Sequence, residues 1–208
     1  MYKVKVVGLG PGNPDYILPV AMKAIEEAEV ILCGKRHLES FDSKGKEILL
    51  IGGKRPLAEL MAQVKSIYKT RKTALVVSGD CGFYSLLSYT RRVIPREDIE
   101  AIPGISSLQY LFAKIGMPWQ DAQLMSLHGR NQDLIARLTL SGTLGVLTDA
   151  INNTPAIAKM LMDAGYDDKW IYVGENLSYP EERICRLSVR EALDFEENGM
   201  CVVVIADE

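Results

Sequence analysis

Six short stretches of the chain carry residue types that could do chemistry, and each follows an apolar run. "GLGPGNPD" (8–15) packs three glycines into five positions, and "SGDCGFY" (78–84) sets Asp80 between Gly79 and Gly82. "PGISS" (103–107) opens a helical pattern with Ser106 and Ser107, and "GKRHL" (34–38) clusters Lys35, Arg36 and His37. In the second half, "LHGRN" (127–131) offers His128 and Arg130, and "LTDA" (147–150) closes another apolar run.

The glycine stretch does not read as a phosphate cradle. A dinucleotide loop needs G-x-G-x-x-G running into a helix. Here the third glycine position is Asn13, and Pro11 removes a backbone N–H that a pyrophosphate would use. No Gly-Lys-Ser/Thr follows, so a P-loop fails as well, and a nicotinamide-dependent dehydrogenase is disfavoured.

Asp80 has two readings. Either it caps the helix expected to begin near Tyr84, or it accepts hydrogen bonds from a ligand's hydroxyls or amine. Ser106 and Ser107 are likewise caps, or groups that meet a ligand carboxylate at a helix start. Lys35, Arg36 and His37 form a solvated turn or a carboxylate site, since Arg holds carboxylates bidentately. His128 and Arg130 read the same way. His128 is in addition a candidate general base, because imidazole titrates near neutrality.

These stretches matter because of the elements that must position them. Apolar runs at 4–8, 29–33, 47–52, 73–79 and 99–104 read as strands, and helical spacing fills most of the gaps (17–28, 56–69, "SLLSYTRRV", "SSLQYLFAKIG"). That alternation predicts an α/β first half with parallel strands, and ligands of such sheets sit beyond the carboxyl ends. "GMPWQDAQ" (116–123) breaks the pattern, which divides the chain into domains at 1–117 and 118–208. Beyond it come strands "QLMSL", "TLGVLTD", "WIYVGENL", "ERICRLS" and "MCVVVIAD", with helices "QDLIARLTL" and "TPAIAKMLMDAG". "GENLSYPEERICRL" reads as a hairpin, so the second sheet is expected to be mixed.

Bulk composition narrows the class. The 208 residues are 48% hydrophobic and 25% charged, with net charge −3, which is ordinary for a globular protein and argues against a general nucleic-acid binder. No apolar run approaches the roughly 20 residues that span a bilayer, and no signal-peptide layout opens the chain. Cys33, Cys81, Cys185 and Cys201 lie far apart with no metal-ligand spacing. They read as reduced thiols of a cytoplasmic protein, with no metal site.

"VVGLGPGNPDYILPVAMKAIEEAEVILCGKRHL", "VVSGDCGFYS" and "AIPGISSLQYL", in that order, resemble the tetrapyrrole methylase superfamily over nearly the whole chain. The resemblance implies two α/β domains with a ligand trough between them and S-adenosyl-L-methionine as methyl donor. It places Leu9, Gly79, Asp80, Phe83, Ser106, Ser107 and Thr148 against the donor. Pro11, Lys35, Arg36, His37, His128 and Arg130 are placed against the substrate. "GKRHL", "SLHGRN" and "GENLSYPEERI" are similar to the branch that methylates C5 of a corrin precursor of the cobalt-precorrin-7 or precorrin-6B type. For that branch a homodimer is expected, with a separate C15-methyltransferase/decarboxylase as a possible partner. Other superfamily activities, on diphthamide precursors or ribosomal RNA, and a non-catalytic adenosylmethionine-binding regulator stand as alternatives. One departure is visible: the superfamily's usual "GDP" is "GDC" here, with Cys81 in the proline's place.

Overall fold

The structure, a computed structural model, describes residues 1–129 and 132–207. The described chain divides into two compact units, Met1–Ser106 and Ser107–Glu208.

In the first unit, strands β1 (Val4–Gly8), β2 (Val30–Gly34), β3 (Glu47–Ile51), β4 (Thr73–Val77) and β5 (Ile99–Ile102) form one sheet ordered β3-β2-β4-β1-β5. All its neighbours pair in parallel, as the alternating pattern predicts. Helices α1 (Pro19–Glu26), α2 (Leu57–Ile67) and α3 (Leu86–Val93) connect them. Every residue of β4 is buried, because both sheet faces are covered. Leu75 and Val77 pack with Leu60, Met61 and Val64 of α2. Ala74 and Val76 pack with Ala21, Ala24 and Ile25 of α1. Pro19 opens α1, where its missing N–H costs nothing.

The second unit holds α4 (Ser107–Lys114), β6 (Gln123–Ser126), α5 (Leu134–Ser141), β7 (Leu144–Leu147), α6 (Thr154–Asp163), β8 (Trp170–Glu175), β9 (Arg183–Ser188), α7 (Val189–Ala192) and β10 (Cys201–Ala206). Its sheet runs β6-β7-β10-β8-β9, with β6–β7 parallel and the other pairs antiparallel, so it is mixed as expected. One face carries a core built on Leu138, Ile157, Leu161, Val203 and Val189.

The division after Ser106 falls one helix earlier than the pattern break at 117/118. The reason is α4, which packs on β10 and β7 of the second sheet. A Cβ on Gly145 would lie 3.2 Å from both Leu108 Cδ1 and Phe112 Cε2, so a bare glycine lets this helix settle closely on the strands.

Candidate active site

The carboxyl ends of four adjacent strands in the first unit bring the predicted loops together. Across the sheet they run "KRH" after β2, Ser78–Asp80 after β4, Leu9–Gly10 after β1 and Pro103–Ser106 after β5. At their centre the main chains touch. Gly10 N–H donates to the Gly79 carbonyl at 3.2 Å, and Gly79 N–H donates to the Gly10 carbonyl at 2.8 Å. A Cβ on Gly8 would meet Gly79 O at 2.5 Å, and one on Gly104 would meet the same oxygen at 2.3 Å. The Gly79 carbonyl is therefore wedged between two other strand ends, a place that admits no side chain. Gly8 and Gly10 of the glycine stretch thus serve a backbone junction.

This junction limits what two predicted donor-site residues offer. The Gly79 N–H and carbonyl are both committed to Gly10. Leu9 is 4% exposed with its side chain in the core, so its main chain is the part near the edge. Pro11 stands half-buried beside them.

Asp80 is not a helix cap. Helix α3 starts at Leu86, behind an N-cap Ser85 that makes no side-chain cap bond. Instead Asp80 Oδ1 accepts the Gly82 N–H at 2.8 Å, and Oδ2 accepts the Gly104 N–H at 3.1 Å. One carboxylate thereby ties the loop after β4 to the loop after β5. Next to it Cys81 is buried, and burial, with the Asp80 charge adding, pushes its thiol up to about 11. It packs as a small hydrophobe in the proline's place. Phe83 is half-buried and meets Tyr84 edge-on at 4.9 Å. Ser106 is 8% exposed, and Ser107 is the first residue of α4.

Arg36 and His37 converge on Ser78, a residue that the sequence reading left unmarked. Both lie in a short 3₁₀ turn, Lys35–Glu39, that follows β2 directly. Arg36 Nη2 donates to Ser78 Oγ at 2.5 Å, and His37 Nε2 lies 2.7 Å from the same oxygen. The Gly34 N–H donates to His37 Nδ1 at 3.2 Å, which places the ring proton on Nε2. Burial, reinforced by the Arg36 charge, lowers the ring's pKa to about 4, so it is neutral near pH 7. Lys35 is exposed beside them.

The second unit places its predicted residues on two neighbouring loops, after β6 and β7. His128 is exposed, and its Nδ1 faces the Thr148 carbonyl at 3.4 Å. A carbonyl can only accept, so that contact calls for a proton on Nδ1, and in the neutral ring the lone pair is then on Nε2. Thr148 is 9% exposed, and its hydroxyl donates to the Cys201 carbonyl at 2.6 Å. Arg130 lies outside the described residues.

Asp149 was missed as a site residue. Its Oδ2 accepts the Gly129 N–H at 2.9 Å, while Oδ1 accepts from Ile151 at 2.9 Å and Asn152 at 2.7 Å. The Asn152 and Gly129 N–H groups hold its carboxyl down at about 2. Asp149 thereby joins the His128 loop to its neighbour much as Asp80 joins the loops after β4 and β5. The "GENLSYPEERI" stretch is the β8–β9 hairpin, and its charges form structural pairs, Glu182 with Lys114 of α4 among them. Buried Glu175 pairs with Arg183 on the facing strand and accepts the Asn198 N–H at 2.6 Å.

The model of the family "Tetrapyrrole (Corrin/Porphyrin) Methylases" matches residues 3–193. The chain belongs to that family. Among its curated relatives is a "Probable cobalt-precorrin-7 C(5)-methyltransferase" of Methanocaldococcus jannaschii, 35% identical with 96% of each chain covered. The "Cobalt-precorrin-7 C(5)-methyltransferase" of Salmonella typhimurium is also 35% identical, with 98% of each covered. Among solved structures, the uroporphyrin-III C-methyltransferase of Thermus thermophilus, complexed with S-adenosylhomocysteine, aligns with a TM-score of 0.79 at 22% identity. That alignment covers 98% of this chain and 97% of that one, and shows that the tetrapyrrole methylase fold is shared. Among the described residues, no helix is long and apolar enough to cross a membrane.

Proposed function

We propose that the protein is an S-adenosylmethionine-dependent methyltransferase acting on C5 of a corrin precursor, with cobalt-precorrin-7 as substrate. The observation that carries this reading is 35% identity over nearly the full length of both chains to relatives of that name. Their names favour the cobalt-containing ring over precorrin-6B.

The residue types at the first unit's carboxyl edge suit the donor. They include main chain bared by glycines, the half-buried ring of Phe83 and the hydroxyl of Ser106, with Ser107 following at the start of the second unit. The donor supplies an already activated methyl, so the protein chiefly aligns the two partners and excludes water. Arg36 provides fixed positive charge for a carboxylate of the macrocycle. His37, with its proton on Nε2, is no base. His128, whose neutral ring would carry its lone pair on Nε2 with Nδ1 facing the Thr148 carbonyl, is suited to take a proton after methylation. Free thiols, three of them buried, support a reducing cytoplasmic setting. Dimerisation belongs to the same reading and rests on the family resemblance.

The test is mass spectrometry of cobalt-precorrin-7 incubated with the protein and methyl-labelled donor. A macrocycle one labelled methyl heavier is expected. A folded protein that binds the donor and leaves the ring unlabelled would overturn the substrate.

A further inference from the structure

We infer that the Ser78 hydroxyl is a substrate-binding group, donating its proton to a peripheral carboxylate of the macrocycle. The inference deepens the proposed function and rests on it for the identity of the ligand.

The argument is a count of one oxygen's hydrogen-bonding capacity. A serine hydroxyl accepts two hydrogen bonds and donates one. Arg36 Nη2, at 2.5 Å, can only donate, and so fills one acceptor position of Ser78 Oγ. His37 Nε2, at 2.7 Å, fills the other, because the Gly34 N–H occupies Nδ1 and leaves the ring proton on Nε2. With both acceptor positions filled by donors, the hydroxyl hydrogen points in the remaining direction. Among the described residues it has no acceptor, and Ser78 is half-exposed at the carboxyl end of β4. The oxygen also touches a guanidinium, which polarises the O–H and makes it a stronger donor.

A donor-only hydroxyl beside a fixed cation matches one kind of group best, a carboxylate. An O–H to carboxylate bond is short and charge-assisted, and the cation adds attraction that a neutral amide does not feel. Fold order explains why these groups meet: β2 and β4 are neighbours, so residues 36, 37 and 78 share one corner of the sheet edge.

A bland role competes, in which Ser78 merely holds Arg36 in place. A double-mutant cycle on the full-length protein, with cobalt-precorrin-7 at saturating donor, separates the two. Ser78→Ala should raise KM about tenfold, as for losing one hydrogen bond to a charged group, with kcat changed less than about twofold. Ser78→Thr, which keeps the hydroxyl, should restore KM. In an Arg36→Ala background, Ser78→Ala should raise KM again by several-fold, because the serine makes its own bond. No further effect in that background would reduce Ser78 to a support for Arg36 and overturn the inference. An unchanged KM in Ser78→Ala alone would overturn it too. Failure of the proposed substrate looks different: the unaltered protein then methylates no cobalt-precorrin-7 at all.

Discussion

Asp80 Oδ2 and the Gly104 N–H, 3.1 Å apart, join the ends of two strands that do not adjoin in the sheet, since β1 runs between β4 and β5. The carboxylate spans the glycine junction and holds both loops at one spacing. Asp80→Ala should therefore lose stability and donor affinity together, by about 1.5–3 kcal/mol in stability, the range for a hydrogen bond to a charged group. Asp80→Asn, which keeps one acceptor, should lose less. Urea midpoints and donor calorimetry on both variants check this. A stability loss with unchanged donor binding would detach the loops' spacing from the donor site.

Gly104→Ala should destabilise by about 3 kcal/mol, the upper end of overpacking costs. Its Cβ would stand 2.3 Å from Gly79 O and 2.8 Å from Gly8 C, backbone atoms that cannot rotate away. Gly53→Ala is the control, since a Cβ there meets Leu50 O at an ordinary 3.5 Å. Thermal melts of the two variants should differ clearly in Tm.

The His37 ring makes acid stability a test of its hydrogen bonds. Its folded pKa lies near 4 against 6.5 unfolded, so between those values the unfolded chain takes up a proton that the folded chain refuses. This contribution is constant above pH 6.5 and is lost as pH falls toward 4. Urea midpoints of the parent should drop over that window more steeply than those of His37→Gln. Parallel curves would mean that the ring is protonated in the folded state.

Asp149→Ala should mimic part of a His128 substitution without sharing its chemistry. Its carboxylate holds the Gly129 N–H, one residue from His128. If His128 takes the proton, His128→Ala lowers kcat, and Asp149→Ala lowers it less by loosening the loop. Asp149 stays ionised down to about pH 2, so its contribution to stability is full above pH 4 and fades only below. Rates of both variants between pH 6 and 9 decide it. A normal kcat in Asp149→Ala beside a low one in His128→Ala would free the loop of any positioning duty.

Thiol reagents should find one fast site. Cys185 is half-buried, while Cys33, Cys81 and Cys201 are buried, with Cys33 and Cys81 pushed up to about 11 by burial. Titration of the native protein at pH 8 should show one rapid equivalent, rising to four on unfolding.

The elements were legible because long apolar runs and helical spacing are local properties. Strands β1 to β5 and β6 to β10 lie where those runs are, within a residue or two. Helix α7 escaped notice: four residues carry no period, and the Ser188–Glu191 capping box was the available signal. The site was legible as a set of loops but not as contacts. Ser78 meets Arg36 only because β2 lies against β4, and a strand order of β3-β2-β4-β1-β5 leaves no trace in any local pattern. Asp80 drew attention as an acid between glycines, yet one of its partners, Gly104, lies on a different strand end.

The backbone junction of Gly8, Gly79 and Gly104 also determines where this enzyme can be remodelled. A wall made of main chain has no side chains to exchange, and adding one forces three strands apart. Under the proposed function, a new ring substrate would be accommodated by redesigning the 3₁₀ turn at Lys35–Glu39, whose side chains can be exchanged. The glycine core is the fixed jig, and the loops around it are the interchangeable tooling.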